Sequence, residues 1–191
     1  MHSTMATNNA EQQVKSVKSP GIPEAVFLED VDKFMKEPAN GSAEAVLRRL
    51  DEQHQKYKFM EMNLMHKKRR LKSQLPDIKS TLDIVNHMQS KQGSEEPLQT
   101  QFLLSDQVYA KASIPPTKRV CLWLGANVML EYTVDDAKAL LEKNLNAATN
   151  SLQQVETDLD FIRDQYTTTE VNMARVYNYD VKRRQAGTSS S

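Results

Sequence analysis

The sequence is poor in glycine and in apolar residues, and each shortage excludes a class of protein. Its five glycines lie at positions 21, 41, 93, 125 and 187, too far apart for the GxxxxGK[ST] or GxGxxG phosphate-binding loops. A nucleotide-driven machine of either common kind is therefore excluded. Apolar residues make up 39% of the chain, against about 45–50% in an ordinary globular domain, so one large compact core is excluded as well.

Cysteine and long apolar runs are equally scarce. The single cysteine, Cys121, cannot form an internal disulfide. The first residues, MHSTMATNNAEQQVKS, lack the apolar stretch of a secretory signal, so we expect a reducing location, cytoplasmic or nuclear. The longest uncharged apolar stretch, residues 120–130, has 11 residues, against about 20 in a membrane-spanning helix. This predicts a soluble protein without a membrane partner.

No group of residues suggests catalysis or metal binding. The histidines at positions 2, 54, 66 and 87 are 12 or more positions apart, and neither HExxH nor CxxC occurs. Asp158 and Asp160 are two positions apart and splay on a helix, which argues against paired acid–base chemistry. We therefore expect no enzyme activity, no catalytic residue, no metal and no cofactor.

Two basic runs each have a simple structural interpretation. In residues 67–70 (KKRR), successive side chains of a regular helix point around its whole circumference. We interpret this run as a solvated face and expect no nucleic-acid partner. Lys182, Arg183 and Arg184 near a helix C-terminus are favoured by the helix dipole, and contact with an acidic partner surface is an equally open interpretation.

Two long segments show the 3.5-residue period of a coiled coil, with seam positions that alternate in spacing of three and four. They predict helices over residues 43–92 and 134–185. Ser42 is the expected N-cap of the first helix, and Thr133 or Asp135 that of the second. The seam positions are Leu47, Leu50, His54, Tyr57, Glu61, Leu64, Lys68, Leu71, Leu75, Ile78, Leu82 and Val85 in the first helix, and Leu141, Leu145, Ala148, Leu152, Val155, Leu159, Ile162, Tyr166, Thr169, Met173 and Val176 in the second.

The two predicted helices are of similar length and differ in charge, which favours an antiparallel pair. Residues 43–92 hold eleven basic and six acidic residues, whereas residues 134–184 hold seven and nine. Pro76 interrupts the first period without shifting its phase, which favours a continuous kinked helix with Pro76 on its outer face. Placing residue 91 opposite 134 brings Glu61 near Arg163, and Lys68 near Glu156 and Asp160.

Residues 93–133, between the helices, are rich in strand formers. Turn signals at 105–106 and 125–127, and the break at Pro115 and Pro116, predict two consecutive β-hairpins. The second hairpin is apolar on both faces and has no helix layer to cover both, so we expect obligate assembly with other chains. The candidate assembly residues are Phe102, Leu104, Val108, Val120, Leu122, Trp123, Leu124, Val128 and Leu130.

The sequence thus predicts an α+β fold, in which a long antiparallel coiled-coil hairpin carries two β-hairpins between its helices. The two ends of the chain differ from this pattern. Residues 1–42 contain Pro20, Pro23 and Pro38 around a short apolar patch, which predicts a mobile N-terminal arm with one short helix. Residues 186–191 are expected to form a disordered tail.

Four strings closely resemble the alpha class of the prefoldin family, in which two long helices flank a double hairpin. The resemblance covers about residues 20–185, and its strings occur in the family's order. They are GIPEAVFLEDVDKFM, FLLSDQVYAKASIPPTKRVCLWLGANVMLEY, ALLEKNL and DLDFIRDQYTTTEVNMARVYNYDVKRR.

The resemblance implies a subunit of a heterohexamer with two alpha-type and four beta-type subunits. In such a complex the hairpins form a double β-barrel platform, here residues 98–132, from which six coiled-coil tentacles extend. Prefoldin captures unfolded actin and tubulin chains at the tentacle tips, here residues near 43–60 and 170–185. It passes them to the cytosolic chaperonin without using ATP.

The half of the seam nearer the predicted tips contains His54, Glu61, Lys68 and Thr169. Polar seam residues lower stability, so we expect this half to open more readily and to expose Met and aromatic side chains to unfolded clients. The candidate client-binding residues are Leu47, Leu50, Tyr57, Phe59, Met60, Met173, Val176, Tyr177 and Tyr179. The alternative for these residues is that they only close the seam.

A different function also stays open. The chain would then be a structural coiled-coil adaptor, whose helices bind one folded partner while its hairpins dimerise. An adaptor should ignore unfolded chains, whereas a co-chaperone subunit should bind them.

Overall fold

The computed structural model describes residues 21–188, which form two compact units. The terminal unit comprises residues 21–64 and 157–188, and the hairpin unit comprises residues 65–156. The fold is α+β, with two antiparallel β-hairpins between long helices, as the sequence predicts. In chain order the elements are α1 (Val31–Met35), a 3₁₀ turn (Pro38–Asn40), α2 (Ala43–Ser90), β1 (Leu98–Ser105), β2 (Val108–Ile114), β3 (Arg119–Gly125), β4 (Val128–Thr133) and α3 (Val134–Thr188).

Helix α2 begins at the predicted cap and passes through Pro76 without a break. The Ser42 hydroxyl accepts a hydrogen bond from the Ala45 amide at 3.1 Å, as an N-cap does. Pro76 is exposed, whereas Leu75 and Ile78 beside it are half-buried. The prediction of a continuous helix with Pro76 outside is confirmed, because the seam residues on both sides stay packed while the proline ring faces solvent.

Helix α3 is capped by Thr133, one of the two predicted residues. The Thr133 hydroxyl accepts a hydrogen bond from the Asp136 amide at 3.1 Å and donates one to the Asp136 carboxylate at 2.7 Å. Asp135, the other candidate cap, instead accepts a hydrogen bond from Gln89 Nε2 at 2.6 Å. That contact ties the start of α3 to the end of α2 within the hairpin unit.

The C-terminal end of α3 extends further than the sequence predicts. The helix continues to Thr188, so residues 186–188 are helical rather than part of a disordered tail, and residues 189–191 lie outside the described residues. Asp180 pairs with Arg183 at 3.4 Å and with Arg184 at 2.6 Å. These pairs, with the helix dipole, stabilise the last turns.

In the terminal unit, α2 and α3 pack antiparallel. His54 Nε2 lies 3.4 Å from Glu170 Oε1, and the His54 ring lies 4.2 Å from that of Tyr166. Arg163 Nε lies 3.9 Å from Glu61 Oε1, the pair expected from the sequence. His54 and Glu61 therefore have partners on the opposite helix, whereas Thr169 donates to the Gln165 carbonyl of its own helix at 2.8 Å.

The hairpin unit has the same direction of pairing. Lys68 Nζ lies 2.9 Å from Glu156 Oε1, as predicted, and Lys72 Nζ lies 4.0 Å from the same oxygen. Asp160, the other predicted partner of Lys68, instead lies 3.4 Å from Arg163 of its own helix, because residues three apart are neighbours on a helix.

The core of the hairpin unit lies where the helices meet the strands. Val85, Val134, Ala137 and Leu141 are buried together. Their clustering follows from the seam, since two of them stand at predicted seam positions. The half-buried residues packed against this core are Ile78, Leu82, Val120, Leu122 and Tyr132.

The two hairpins form separate two-stranded antiparallel sheets. In the second, Leu122 of β3 stands opposite Leu130 of β4. Its turn has two consecutive left-handed residues, Ala126 at φ 50° and Asn127 at φ 61°. This geometry matches the right-handed twist of the strands, as in a type I′ turn. In the first hairpin Gln107, at φ 65°, takes the left-handed conformation.

Within the terminal unit, residues 21–42 pack against α2 and α3, whereas the sequence predicted a mobile arm. The short helix α1 is present, and the Asp30 carboxylate caps it by accepting a hydrogen bond from the Lys33 amide at 2.9 Å. Before it, residues 22–30, here named the strap, are hydrogen-bonded to α3. The sequence of the arm alone did not predict this order, because the hydrogen bonds that hold the strap come from side chains of α3. Residues 1–20 of the predicted arm lie outside the described residues.

Replacing Lys68 by Met should raise the pKa of Glu156. The hydrogen bond from Lys68 and its charge hold the pKa of the Glu156 carboxyl below its ordinary value. The pair therefore stabilises the folded chain above the ordinary carboxyl pKa, and this contribution is lost as the pH falls through the lowered pKa. NMR titration of the Glu156 carboxyl measures the change.

The matched control is Lys67→Met, which removes an exposed lysine one position away. It should leave the Glu156 pKa as it is in the unmodified chain. Equal pKa values in the two variants would contradict the role assigned to Lys68.

Candidate functional site

Large apolar side chains are exposed along both hairpins. Trp123 is 60% exposed and its cross-strand partner Met129 is 55% exposed, although tryptophan is highly buried on average. A patch of this kind is typical of a surface that another chain covers. Seven of the nine candidate assembly residues are exposed, namely Phe102, Leu104, Val108, Trp123, Leu124, Val128 and Leu130.

The other two candidate assembly residues, Val120 and Leu122, face inward. Both are half-buried and pack against the core of the hairpin unit. Side chains alternate between the faces of a strand, so Val120 and Leu122 share one face while Cys121 and Trp123 occupy the opposite, exposed face. The prediction that both faces of this hairpin are free for assembly is therefore wrong at these two positions.

The candidate client-binding residues divide by exposure. Phe59 and Tyr177 are 61% and 60% exposed, and Leu47, Met60, Met173 and Tyr179 are half-buried. Leu50, Tyr57 and Val176 are buried, so a client cannot reach them while this part of the seam is closed. Leu50 and Val176 are covered because the strap and α1 pack over this part of the seam.

Three of the candidates lie together on one side of the terminal unit. Leu47, Met173 and Tyr177 line a shallow apolar groove together with Ala174. The charged residues Glu44, Arg48 and Asp51 also line it. Flexible methionine and aromatic side chains in an open groove suit contact with many different apolar segments.

The strap occupies a second site, formed mainly by α3. Gln165 Oε1 accepts a hydrogen bond from the Ala25 amide at 2.8 Å. Asn172 Oδ1 accepts one from the Leu28 amide at 2.9 Å, and Asn172 Nδ2 donates to the Val26 carbonyl at 2.8 Å. One asparagine side chain therefore satisfies two main-chain groups of the strap, as a neighbouring β-strand would.

Both ends of the strap have a further polar contact. Arg175 Nη2 donates to the Glu29 carbonyl at 2.9 Å, and the Arg175 guanidinium lies 5.2 Å from the centre of the Phe27 ring. At the other end, the Tyr57 hydroxyl donates to the Pro23 carbonyl at 2.8 Å. Burial raises the pKa of Tyr57, which keeps the hydroxyl protonated and able to donate.

Apolar contacts fix the strap and α1 over the seam. Val31 of α1 joins Ala43, Val46, Leu50 and Val176 in one buried cluster. The half-buried residues packed against this cluster are Leu28, Phe34, Met35, Leu47, Met173 and Tyr179. The terminal unit therefore has a core of three chain segments rather than the two that a simple helical pair would provide.

The face of α3 that holds this third segment is evident only in the structure. Positions 161, 165, 168, 172, 175 and 179 of α3 repeat the spacing of four and three beside the seam, and all six are buried or half-buried. A second stripe of this kind indicates a second packed face. Hydrophobic periodicity missed it because Gln165, Asn172 and Arg175 are polar.

Within residues 21–188, no helix is long and apolar enough to span a bilayer. In the same part of the chain, no cluster of three or more His, Cys, Asp or Glu side chains is arranged to hold a metal ion.

Comparison with known proteins agrees with the two long helices and the double hairpin. The family model described as prefoldin subunit matches residues 57–179. The chain belongs to the prefoldin family. The proteins named prefoldin subunit 3 of Mus musculus and Homo sapiens are each 68% identical over 164 residues, which is 86% of this chain and 84% and 83% of theirs. That of Drosophila melanogaster is 58% identical over 171 residues, 90% of this chain and 87% of its own.

Prefoldin subunits are co-chaperones, and the resemblance inferred from the sequence is thereby confirmed. The match to the family model begins at Tyr57. The strap and α1 precede the residues that the family model matches.

Replacing Tyr57 by Phe should loosen the strap. The variant keeps the buried ring but removes the hydroxyl that donates to the Pro23 carbonyl, a loss of about 0.5–1.5 kcal/mol. Hydrogen exchange of the Ala25 and Leu28 amides should become about two- to twelvefold faster as a result.

Tyr177→Phe is the control, because Tyr177 is largely exposed and does not belong to the strap site. Exchange at the two strap amides should be unaffected by it. If Tyr57→Phe exchanges at the same rate as this control, the Tyr57 hydroxyl does not hold the strap.

Proposed function

We propose that the chain is one subunit of a heterohexamer of two alpha-type and four beta-type prefoldin subunits in the cytoplasm. The hairpins assemble the complex, and the terminal unit contacts unfolded actin and tubulin chains. The complex delivers these clients to the cytosolic chaperonin and does not use ATP. Family membership supports a co-chaperone subunit, and the exposed surfaces support the division of labour between the units.

The observation that carries the proposal is the exposed apolar face of the hairpins. Covering one large apolar side chain contributes about 1.5–3 kcal/mol, and seven such candidates are exposed in this chain. Partner hairpins that supply a complementary apolar face would cover them. Trp123 and Leu124 lie on β3 and are the strongest candidates for anchors, since tryptophan dominates many interfaces.

Client contact is assigned to the open residues of the terminal unit. Phe59 and Tyr177 are exposed, and Leu47 and Met173 line the shallow groove beside Tyr177. Each such surface is small, so a single contact should be weak. Capture would then depend on several subunits that engage one client together.

Trp123→Asp should prevent assembly while the helices stay folded. The change removes the largest exposed apolar side chain of the second hairpin and introduces a charge where a partner would cover it. Loss of a central tryptophan typically weakens an interface by about 2 kcal/mol or more, or about thirtyfold. Co-expression with the partner subunits and sedimentation velocity measure assembly, and circular dichroism measures helix content.

Gln101→Asp places the same charge on an exposed strand position without removing apolar surface. This control should assemble like the unmodified chain. Equal assembly of the two variants would show that the exposed face of β3 is not an interface.

The pair of substitutions Phe59→Ser and Tyr177→Ser should weaken capture without affecting assembly. We expect about two- to threefold less suppression of aggregation when unfolded actin is diluted into the complex, because the other subunits still contribute. Light scattering with and without ATP measures the effect, and ATP should make no difference.

The control pair is Met65→Ser and Ile84→Ser, which removes exposed apolar side chains of the hairpin unit. It should leave suppression unchanged. If the two pairs are equivalent, client contact does not involve the terminal-unit residues named here. If the unmodified complex binds a folded partner and ignores unfolded chains, the chain is a structural adaptor instead.

A further inference from the structure

The strap is held through its main chain. The amides of Ala25 and Leu28 and the carbonyls of Val26 and Glu29 are bonded to side chains of α3 at 2.8–2.9 Å. Every polypeptide has these amide and carbonyl groups, whatever its sequence. The site therefore recognises an extended backbone rather than a particular set of side chains.

The side chains of the strap add only one strong requirement. Leu28 packs against the buried cluster of the terminal unit. Val26 is 77% exposed, and Phe27 is 47% exposed beside the Arg175 guanidinium. A segment with one apolar residue at the position of Leu28 would make the same main-chain bonds and the same contact with the cluster, but not the contact of Phe27 with Arg175.

The receiving side chains are bonded to the strap and buried while it is bound. When the strap leaves, the amide groups of Gln165 and Asn172 need new hydrogen-bond partners, from water or from another extended main chain. A folded protein offers few extended segments with free main-chain groups, because its own secondary structure has paired them. An unfolded chain offers many, so this chemistry distinguishes unfolded from folded proteins.

We propose that Gln165, Asn172 and Arg175 form a binding site for an extended segment of an unfolded polypeptide, and that the strap occupies this site as an internal competitor. The inference rests on the proposed function, and it names the feature of the client that is recognised: an extended backbone with one apolar side chain.

The strap could leave its site on α3 and return to it, because the chain that follows it stays attached to the terminal unit. The segment that follows the strap is anchored by Asn40, whose Nδ2 donates to the Phe34 carbonyl of α1 at 2.8 Å and whose Oδ1 accepts from Arg49 of α2 at 2.8 Å. A tethered segment has an effective concentration in the millimolar range. Only clients held by several subunits would displace it, and its return would release them without ATP.

Leu28→Asp in the assembled complex tests the competition. The substitution weakens the strap and leaves every receiving side chain in place, so binding of unfolded actin should become at least about threefold tighter. Val171→Asp is the control, since it places the same charge on an exposed position of α3 outside both stripes. It should bind like the unmodified complex. Equal or weaker binding by Leu28→Asp would overturn the proposal.

A second experiment measures the site without a client. A complex whose subunit lacks residues 1–30 is mixed with a fluorescent peptide of residues 21–30, and binding is followed by anisotropy. The peptide should bind, and unfolded actin should displace it. Asn172→Ala, which removes two hydrogen bonds, should weaken peptide binding about tenfold, whereas Asn150→Ala on the same helix should not.

The outcomes separate this inference from the proposed function. If the unmodified complex suppresses actin aggregation but the peptide does not bind or is not displaced, the strap is only structural and the inference is wrong. If the peptide binds as expected but the unmodified complex does not suppress aggregation, the proposed function fails and the site binds some other extended segment.

Discussion

The antiparallel pairing of α2 and α3 is the constraint on which the rest of the structure depends. In the terminal unit it brings Val46 and Val176 into one cluster, and in the hairpin unit it brings Val85 and Ala137 into another. Neither helix could bury its apolar stripe alone, and helices in proteins gain most of their stability from packing of that stripe against a neighbour. The cross-helix ion pairs are partly exposed and therefore specify register more than they contribute stability.

The same pairing explains why both candidate surfaces exist. A seam covers only one stripe of each helix, so α3 keeps a second stripe that must be packed or solvated. In the terminal unit the strap covers that stripe, and Gln165 and Asn172 satisfy its main chain. In the hairpin unit the helix core packs against one face of the second hairpin at Val120 and Leu122, although Leu130 on that face stays exposed. The opposite face, with Trp123, stays exposed.

The two surfaces suit different kinds of recognition. The hairpin face offers large apolar side chains at fixed strand positions, which favours a permanent interface of one defined geometry. The terminal unit combines an open groove around Met173 with side chains that bond to main-chain groups. Such a surface tolerates many sequences, which is the property that binding of unfolded chains requires.

The sequence by itself determined the features that depend on neighbours along the chain. Seam periodicity predicted both helices, the passage through Pro76 and the pairing of Glu61 with Arg163, and turn chemistry predicted both hairpins. The sequence also predicted the N-caps Ser42 and Thr133, because an N-cap depends on a few adjacent residues. The family followed from strings of residues in a fixed order.

Only the tertiary structure decided which of these residues are accessible. Asn172 bonds to Val26 across 146 positions, and the pairing of a polar side chain with a distant main chain leaves no hydrophobic period in the sequence. Leu50 and Val176 are buried because the strap and α1 pack over them, and the sequence predicted that this segment is a mobile arm. Likewise, strand alternation separates Leu122 from Trp123, but only packing against the helix core decides which of the two faces inward.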